Sequence, residues 1–316
     1  AQVHRATLRL PRAGGGGEID EVEAVLKVQH PRIAEQLAID IHASTLLAML
    51  LGAVAPHLFR DLRPVVKELA QITRAELDFT QEASNQTLAA RTLDGAGLRV
   101  RVPMVFPQLV SRRLLAMEFV DGVKLTQMRA AEAEGGGGFG AAEASRVVET
   151  LVRYYGVTMH GDIFNCDPHP GNLLVDRASG DLVVLDWGQA RRLTATERAA
   201  HAQLFLAIMM EDVNLLGDAC AGLGAPFGDL AAAPNSTPAT MLGALRFVLR
   251  DTKDSRLAAK SDFRQLESAL GSLSGELKKI QGGGSDLFKG PLMPFSKTAA
   301  LLFEVSTMLG VSLPML

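Results

Sequence analysis

The stretch His160–Gly188, HGDIFNCDPHPGNLLVDRASGDLVVLDWG, restricts the possible folds of this chain more than any other. Two short apolar runs, Leu173–Val175 and Leu182–Leu185, flank a polar turn, Asp176–Asp181, and read as a β-hairpin. An irregular, proline-bearing loop precedes the hairpin and carries Asp167 and Asn172 in a D-x4-N spacing. Asp186-Trp187-Gly188 follows it. These are the residue types that phosphoryl transfer from a nucleotide needs. One carboxylate stands near the attacking oxygen, and an amide oxygen and a second carboxylate hold the Mg²⁺ that shields the phosphates.

The order of loop, hairpin and D-aromatic-G predicts the magnesium-binding half of a protein-kinase-like active site. Two aspartates compete for the base-like role, because His160-Gly161-Asp162 has the form H-G-D of small-molecule phosphotransferases. Five residues beyond Asp162 stands Asp167, whereas five beyond Asp167 stands Asn172. The spacing therefore selects Asp167, with Asn172 and Asp186 as the metal ligands. His160, Cys166 and His169 are close in sequence but match no paired zinc-ligand spacing.

The length of 316 residues allows one large domain or two lobes, and 47% hydrophobic with 21% charged residues describes a globular chain. A net charge of −3, with no array of interleaved basic and aromatic residues, gives no case for a nucleic-acid partner. Two cysteines, Cys166 and Cys220, make no disulfide framework, so a reducing compartment is the expectation. The glycine runs Gly14–Gly17, Gly135–Gly138 and Gly282–Gly284 read as surface insertions, the first as a hairpin loop.

Ala1–Leu10 and Val22–Val28 read as strands, and the second carries Lys27 within an apolar run. A lysine there must pair or reach water; in kinase folds such a strand supplies the phosphate-binding lysine. Its partner is sought on a long helix predicted over Arg60–Leu93. At about 100° per residue, Glu76 shares the apolar face with Val65, Leu69, Ile72, Phe79 and Ala83, whereas Asp78, Glu82 and Asn85 point elsewhere. A buried carboxylate needs a partner, so Lys27 is expected to pair with Glu76 rather than Glu82. Leu114–Val120 reads as the strand entering the hinge between lobes. Glu118, Phe119 and Val120 would offer backbone groups to adenine, with Met117 at the rear of the pocket. Further helices are expected over Ala141–Met159, Glu197–Met210 (capped by Thr194 or Thr196), Met241–Leu249 and Ser261–Ile280. Ala299–Leu316 reads as a core helix, with a membrane-surface role as the alternative.

Taken together, these pieces resemble the UbiB/ADCK/ABC-one family of atypical kinases from Ala1 to about Arg192. AQVHRA resembles the end of the family's alanine-rich nucleotide loop, VLKVQHP its lysine strand and AELDFTQEASN its E-x-D helix motif. MEFVDG resembles its hinge and DPHPGN its catalytic loop. The family's K-x-G-Q segment is missing, only Ala1 and Gln2 of the loop remain, and Trp187 stands where phenylalanine is usual. With no Met at its start, the chain is expected to be a fragment of a longer protein.

The resemblance implies an α+β, two-lobed protein-kinase-like fold. The small lobe, residues 1–120, would hold an antiparallel sheet and the long helix; the larger helical lobe, 121–316, would hold the catalytic loop 160–172 and the DWG at 186–188. It also implies ATP or ADP with Mg²⁺. Lys27 would hold the phosphates with Ala1 and Gln2 nearby, Glu76 would orient Lys27, Asp167 would be the base-like carboxylate, and Asn172 and Asp186 would bind Mg²⁺. The implied activity is that of an atypical kinase or ATPase supporting isoprenoid quinone (ubiquinone) or related prenyl-lipid metabolism, in a mitochondrion or chloroplast if the source is eukaryotic. Components of those pathways are the implied partners. The alternatives are a non-catalytic nucleotide-binding scaffold and a phosphotransferase of aminoglycoside or choline kinase type.

Overall fold

A computed structural model describes residues 1–11, 19–54, 77–128, 140–167, 169–223 and 293–311, together with Val66, Ala70, Thr73 and Leu242. The three glycine runs, Glu76 and, apart from Leu242, the expected helices Met241–Leu249 and Ser261–Ile280 lie outside these residues. The chain divides into two compact units: residues 1–90, 102–121 and 185–190 form the first, and 91–101, 122–184 and 191–316 the second. The division expected from the sequence was into two contiguous stretches. Here the segment around the DWG belongs with the N-terminal unit instead.

In the first unit, β1 (Gln2–Pro11) pairs antiparallel with β2 (Ile19–Val28), placing Val3 opposite Lys27. Helix α1 covers Ile33–Val54 and α2 covers Phe79–Asp94. The strand β3 (Leu114–Glu118) pairs antiparallel on the other side of β2, with Leu115 opposite Lys27. Because side chains alternate along a strand, the two faces of this sheet carry different residues. Val22, Ala24 and Leu26 meet Phe106, Leu109 and Ala116 on one face. Val25, Leu115 and Met117 meet Phe79 and Ala83 of α2 on the other. By the same alternation, Lys27 belongs to the face on which α2 packs.

Two helical assignments differ from the sequence reading. No helix was expected over Ile33–Val54. Apolar residues occur all round α1, so no amphipathic stripe marks it. A strip through Ile33, Leu37, Ile41, Thr45 and Ala48 is partly or fully buried, whereas Ile39, Leu46, Leu47, Met49, Leu50 and Val54 are exposed. By length and composition α1 is apolar enough to cross a membrane, and no other helix among the described residues is. The second difference concerns Arg60–Leu93. Asp78 is not helical, and its carboxylate accepts bonds from the Thr80 amide (3.0 Å) and hydroxyl (2.5 Å), as a helix N-cap does. The helix therefore starts afresh at Phe79.

The second unit holds an antiparallel hairpin of β5 (Leu173–Asp176) and β6 (Leu182–Val184), flanked by β4 (Gly122–Lys124) and by Val100–Arg101, which runs parallel to β6. This is the hairpin read from the sequence. Asp176 fixes its turn by accepting bonds from the Ala178 and Ser179 amides, at 2.8 and 3.0 Å, and from Arg101 at 2.8 Å. Gly122 admits no side chain, because a β-carbon there would stand 2.9 Å from the Val175 carbonyl oxygen. Helix α3 (Ala141–His160) buries Ala144, Val147, Val148, Leu151, Tyr154, Tyr155 and Thr158, an i, i+3, i+4, i+7 stripe. Helices α4 (Ala195–Met210), α5 (Val213–Gly222) and α6 (Met293–Leu309) complete the described part. Ala299, Leu301, Leu302, Phe303 and Val305 of α6 are buried, as befits a core helix.

Of the two threonines that could cap α4, Thr194 does so. Its hydroxyl accepts from the Glu197 amide at 3.2 Å, and the Glu197 carboxylate accepts from the Thr194 amide at 2.8 Å. Burial raises the Glu197 pKa, but the Thr194 hydrogen bonds and the Arg191 charge outweigh it and hold the carboxyl below its ordinary value of 4.5. Its stabilising contribution is therefore present above pH 4.5 and lost as pH falls through the depressed value. Thr194→Ala is expected to cost about 1 kcal/mol at pH 7. The Glu197→Gln penalty should shrink progressively as pH falls below 4.5, which melting curves taken from pH 7 downward would show.

Candidate active site

Each unit positions part of the expected set. In the first, the Lys27 ammonium donates to both Glu82 oxygens, at 2.7 and 2.9 Å, and to Asp186 Oδ2 at 3.3 Å. It also stands 5.4 Å from the centre of the Phe79 ring. The pairing with Glu76 expected from the sequence is thus corrected: Lys27 pairs with Glu82. Counted from Phe79, the inward side of α2 runs Phe79, Glu82, Ala83, Gln86, Ala89 and Leu93, all buried. Residues before Asp78, which is not helical, therefore do not set the phase of this helix, and its buried face includes Glu82.

Burial favours the neutral amine of Lys27, but the Glu82 and Asp186 charges overcome it and hold its pKa above the ordinary value. Burial and the Asp186 charge likewise hold the Glu82 carboxyl above its ordinary value, against the pull of Lys27. The physical cause is shared: two carboxylates face one ammonium, leaving an excess of negative charge. A divalent cation on Asp186 would relieve that excess.

The donor set at Asp186 fits such a cation. Asp186 is a carboxylate, the donor type a divalent cation takes, and it is oriented by the Gly188 amide on Oδ1 at 2.9 Å and by Lys27 on Oδ2. The DWG backbone is held in place by Asn85, whose amide nitrogen donates to the carbonyls of Trp187 (3.1 Å) and Ala190 (3.5 Å). Trp187 is fully buried, so the larger ring is accommodated as an anchor. Neither Glu82 nor Asn85 was chosen from the sequence. The available signal was Asp78 with Gln81 three residues on, a helix-start pattern that resets the phase.

The other expected residues of the first unit line the same sheet. Gln2 lies opposite Val28, one step along from the Val3–Lys27 pair, and Ala1 precedes β1. Met117 is buried against Phe79 and Ala83, and its sulfur accepts from Gln86 at 3.6 Å. The Glu118 amide donates to the Met104 carbonyl at 2.8 Å and the Phe119 amide to that of Glu23 at 3.2 Å. These two amides are engaged within the unit.

In the second unit, hydrogen bonds hold the described residues of the loop that the sequence reading expects to be catalytic. The Asp167 amide donates to the Asn165 side chain at 2.9 Å, and the Asp167 carboxylate is half exposed. His169 Nδ1 accepts from the Gly171 amide at 2.9 Å, and the His169 carbonyl from the Asn172 amide at 2.9 Å. A short 3₁₀ turn, Pro170–Asn172, thereby delivers Asn172 to the start of β5. Asp162 is exposed and stands 3.8 Å from Arg198 of α4. Lys297 of α6, which the sequence reading did not single out, reaches the loop as well. Its ammonium donates to the Cys166 carbonyl at 2.7 Å and lies 4.0 Å from the Asp167 carboxylate.

Residues 1–219 match the family model described as the ABC1 atypical kinase-like domain. Among curated relatives, the uncharacterized protein sll0005 of Synechocystis is 32% identical over 63% of this chain and 28% of its own length. Protein ACTIVITY OF BC1 COMPLEX KINASE 8, chloroplastic, of Arabidopsis thaliana is 30% identical over 73% of this chain and 29% of its length. AarF domain-containing protein kinase 1 of Gallus gallus is 28% identical over 73% of this chain and 41% of its length. The chain thus spans less than half the length of these relatives. The solved complex of Rv3197 with erythromycin from Mycobacterium tuberculosis has the same fold. Its TM-score is 0.60 at 18% identity, over 93% of this chain and 70% of that one.

Proposed function

Because the chain belongs to the ABC1 atypical kinase-like family, also known as UbiB/ADCK, we propose that it binds ATP with Mg²⁺ and transfers or hydrolyses the terminal phosphoryl group. The observation that carries this reading is the Lys27–Glu82–Asp186 cluster, an ammonium oriented by one carboxylate beside a second that suits a metal. Lys27 would hold the nucleotide phosphates while Glu82 fixes its amine. Asp186 would bind the metal, Asn172 would supply an amide oxygen to it, and Asp167 would take the base-like role at the attacking oxygen. When bound, Mg²⁺ would neutralise charge on the phosphates.

The finer reading places this activity in isoprenoid quinone or related prenyl-lipid metabolism, in a plastid or mitochondrion if the source is eukaryotic. Support comes from the resemblance and from two Arabidopsis relatives whose names carry the word chloroplastic. The direct test is calorimetric binding of ATP with and without Mg²⁺, with a melting curve alongside. At nucleotide 100-fold above Kd, binding should stabilise the fold by about 2.7 kcal/mol. The gain should require Mg²⁺ and disappear in Lys27→Met. Binding without any phosphate release would favour the scaffold reading; no binding would remove the proposal.

A further inference from the structure

We propose that Lys297 is a positioning residue for phosphoryl transfer, fixing from the C-terminal helix the backbone from which the Asp167 carboxylate projects. The proposal rests on the reading of Asp167 as the base-like carboxylate. In the described part of this loop, Asn165 holds the Asp167 amide, His169 holds the Gly171 and Asn172 amides, and the Arg191 backbone bonds the Cys166 thiol. The Cys166 carbonyl is held by a side chain far along the chain, at 2.7 Å. That carbonyl belongs to the peptide unit that joins Cys166 to Asp167, so holding it restricts the rotation that would swing the carboxylate away. A bond from a charged ammonium is among the stronger and shorter hydrogen bonds.

The helix behind Lys297 is packed into the core. Thr298 and Ala299 next to it are buried, as are Leu301, Leu302, Phe303 and Val305. Lys297 itself keeps enough exposure for its ammonium to meet the loop at its solvent side. The 4.0 Å approach to the half-exposed Asp167 carboxylate is weak as an ion pair, so the carbonyl bond carries the effect. Cys166 offers no competing chemistry: burial pushes its thiol pKa up to about 11, against the opposing charges of Arg191 and Lys297, and the thiol stays protonated.

Steady-state turnover of Mg²⁺–ATP and equilibrium ATP binding, measured on the whole chain, test this for Lys297→Met, Lys297→Arg and Asp167→Asn. Lys297→Met should lower kcat by about a hundredfold, the cost of a loop misplaced by about 1 Å. ATP affinity and the melting profile should stay as in the wild type, and Lys297→Arg should recover most of kcat. A role in stability alone would instead lower the melting profile and binding together, without that recovery, and would overturn the proposal. Full turnover in Lys297→Met alongside lost turnover in Asp167→Asn would overturn it too, leaving the reading of the loop intact. Full turnover in Asp167→Asn, or none in the wild type, would remove the reading and the proposal with it.

Discussion

Glu82→Gln is expected to reduce ATP turnover by about 10²–10³, the loss that follows removal of one preorganised polar partner at a phosphoryl-transfer centre. The substitution keeps the side-chain volume and removes the charge that orients Lys27. Glu82 is buried and pairs with Lys27 through both oxygens, so the two act as one unit. In a double-substitution cycle, Lys27→Met combined with Glu82→Gln should therefore do no more harm than the worse single change, because the interaction can be lost only once. Lys27→Met combined with Glu76→Gln should show effects that add. Additivity for the Glu82 cycle and coupling for the Glu76 cycle would contradict the pairing. Each variant has to be compared by melting curve first, since breaking a buried pair by removing one partner costs about 3–5 kcal/mol.

The second large effect separates binding from turnover. Asp186→Asn should abolish Mg²⁺-dependent nucleotide binding, because it removes the full carboxylate charge assigned to the metal. Asp167→Asn should leave binding nearly unchanged while lowering turnover by about 10²–10⁴. Asp162→Asn should do little: its carboxylate is exposed and stands 3.8 Å from Arg198, outside the D-x4-N spacing. If Asp162→Asn were as damaging as Asp186→Asn and Asp167→Asn mild, the H-G-D arrangement of small-molecule phosphotransferases would describe the loop better. Calorimetry with and without Mg²⁺, beside a phosphate-release assay, distinguishes these outcomes.

Local pattern was enough to read the hairpin Leu173–Val184, the lysine strand, the strand before the hinge and helices α3 and α4. In each, hydrophobic period and turn residues act over a few neighbours, so the amino-acid order determines them. The same holds for the D-x4-N spacing, which is set within one loop. Helix α1 escaped because a helix apolar on all sides has no phase to detect. The partner of Lys27 escaped for a different reason. Helical phase is reliable only within an unbroken helix, so residues before the N-cap at Asp78 could not place Glu82, which lies on the inner face of the helix that starts at Phe79. Sequence chemistry demanded that Lys27 find a carboxylate. Which carboxylate, and the reach of Lys297 to the Cys166 carbonyl, were decided by elements far apart in the chain coming together. Spacing along the sequence carries no record of such contacts.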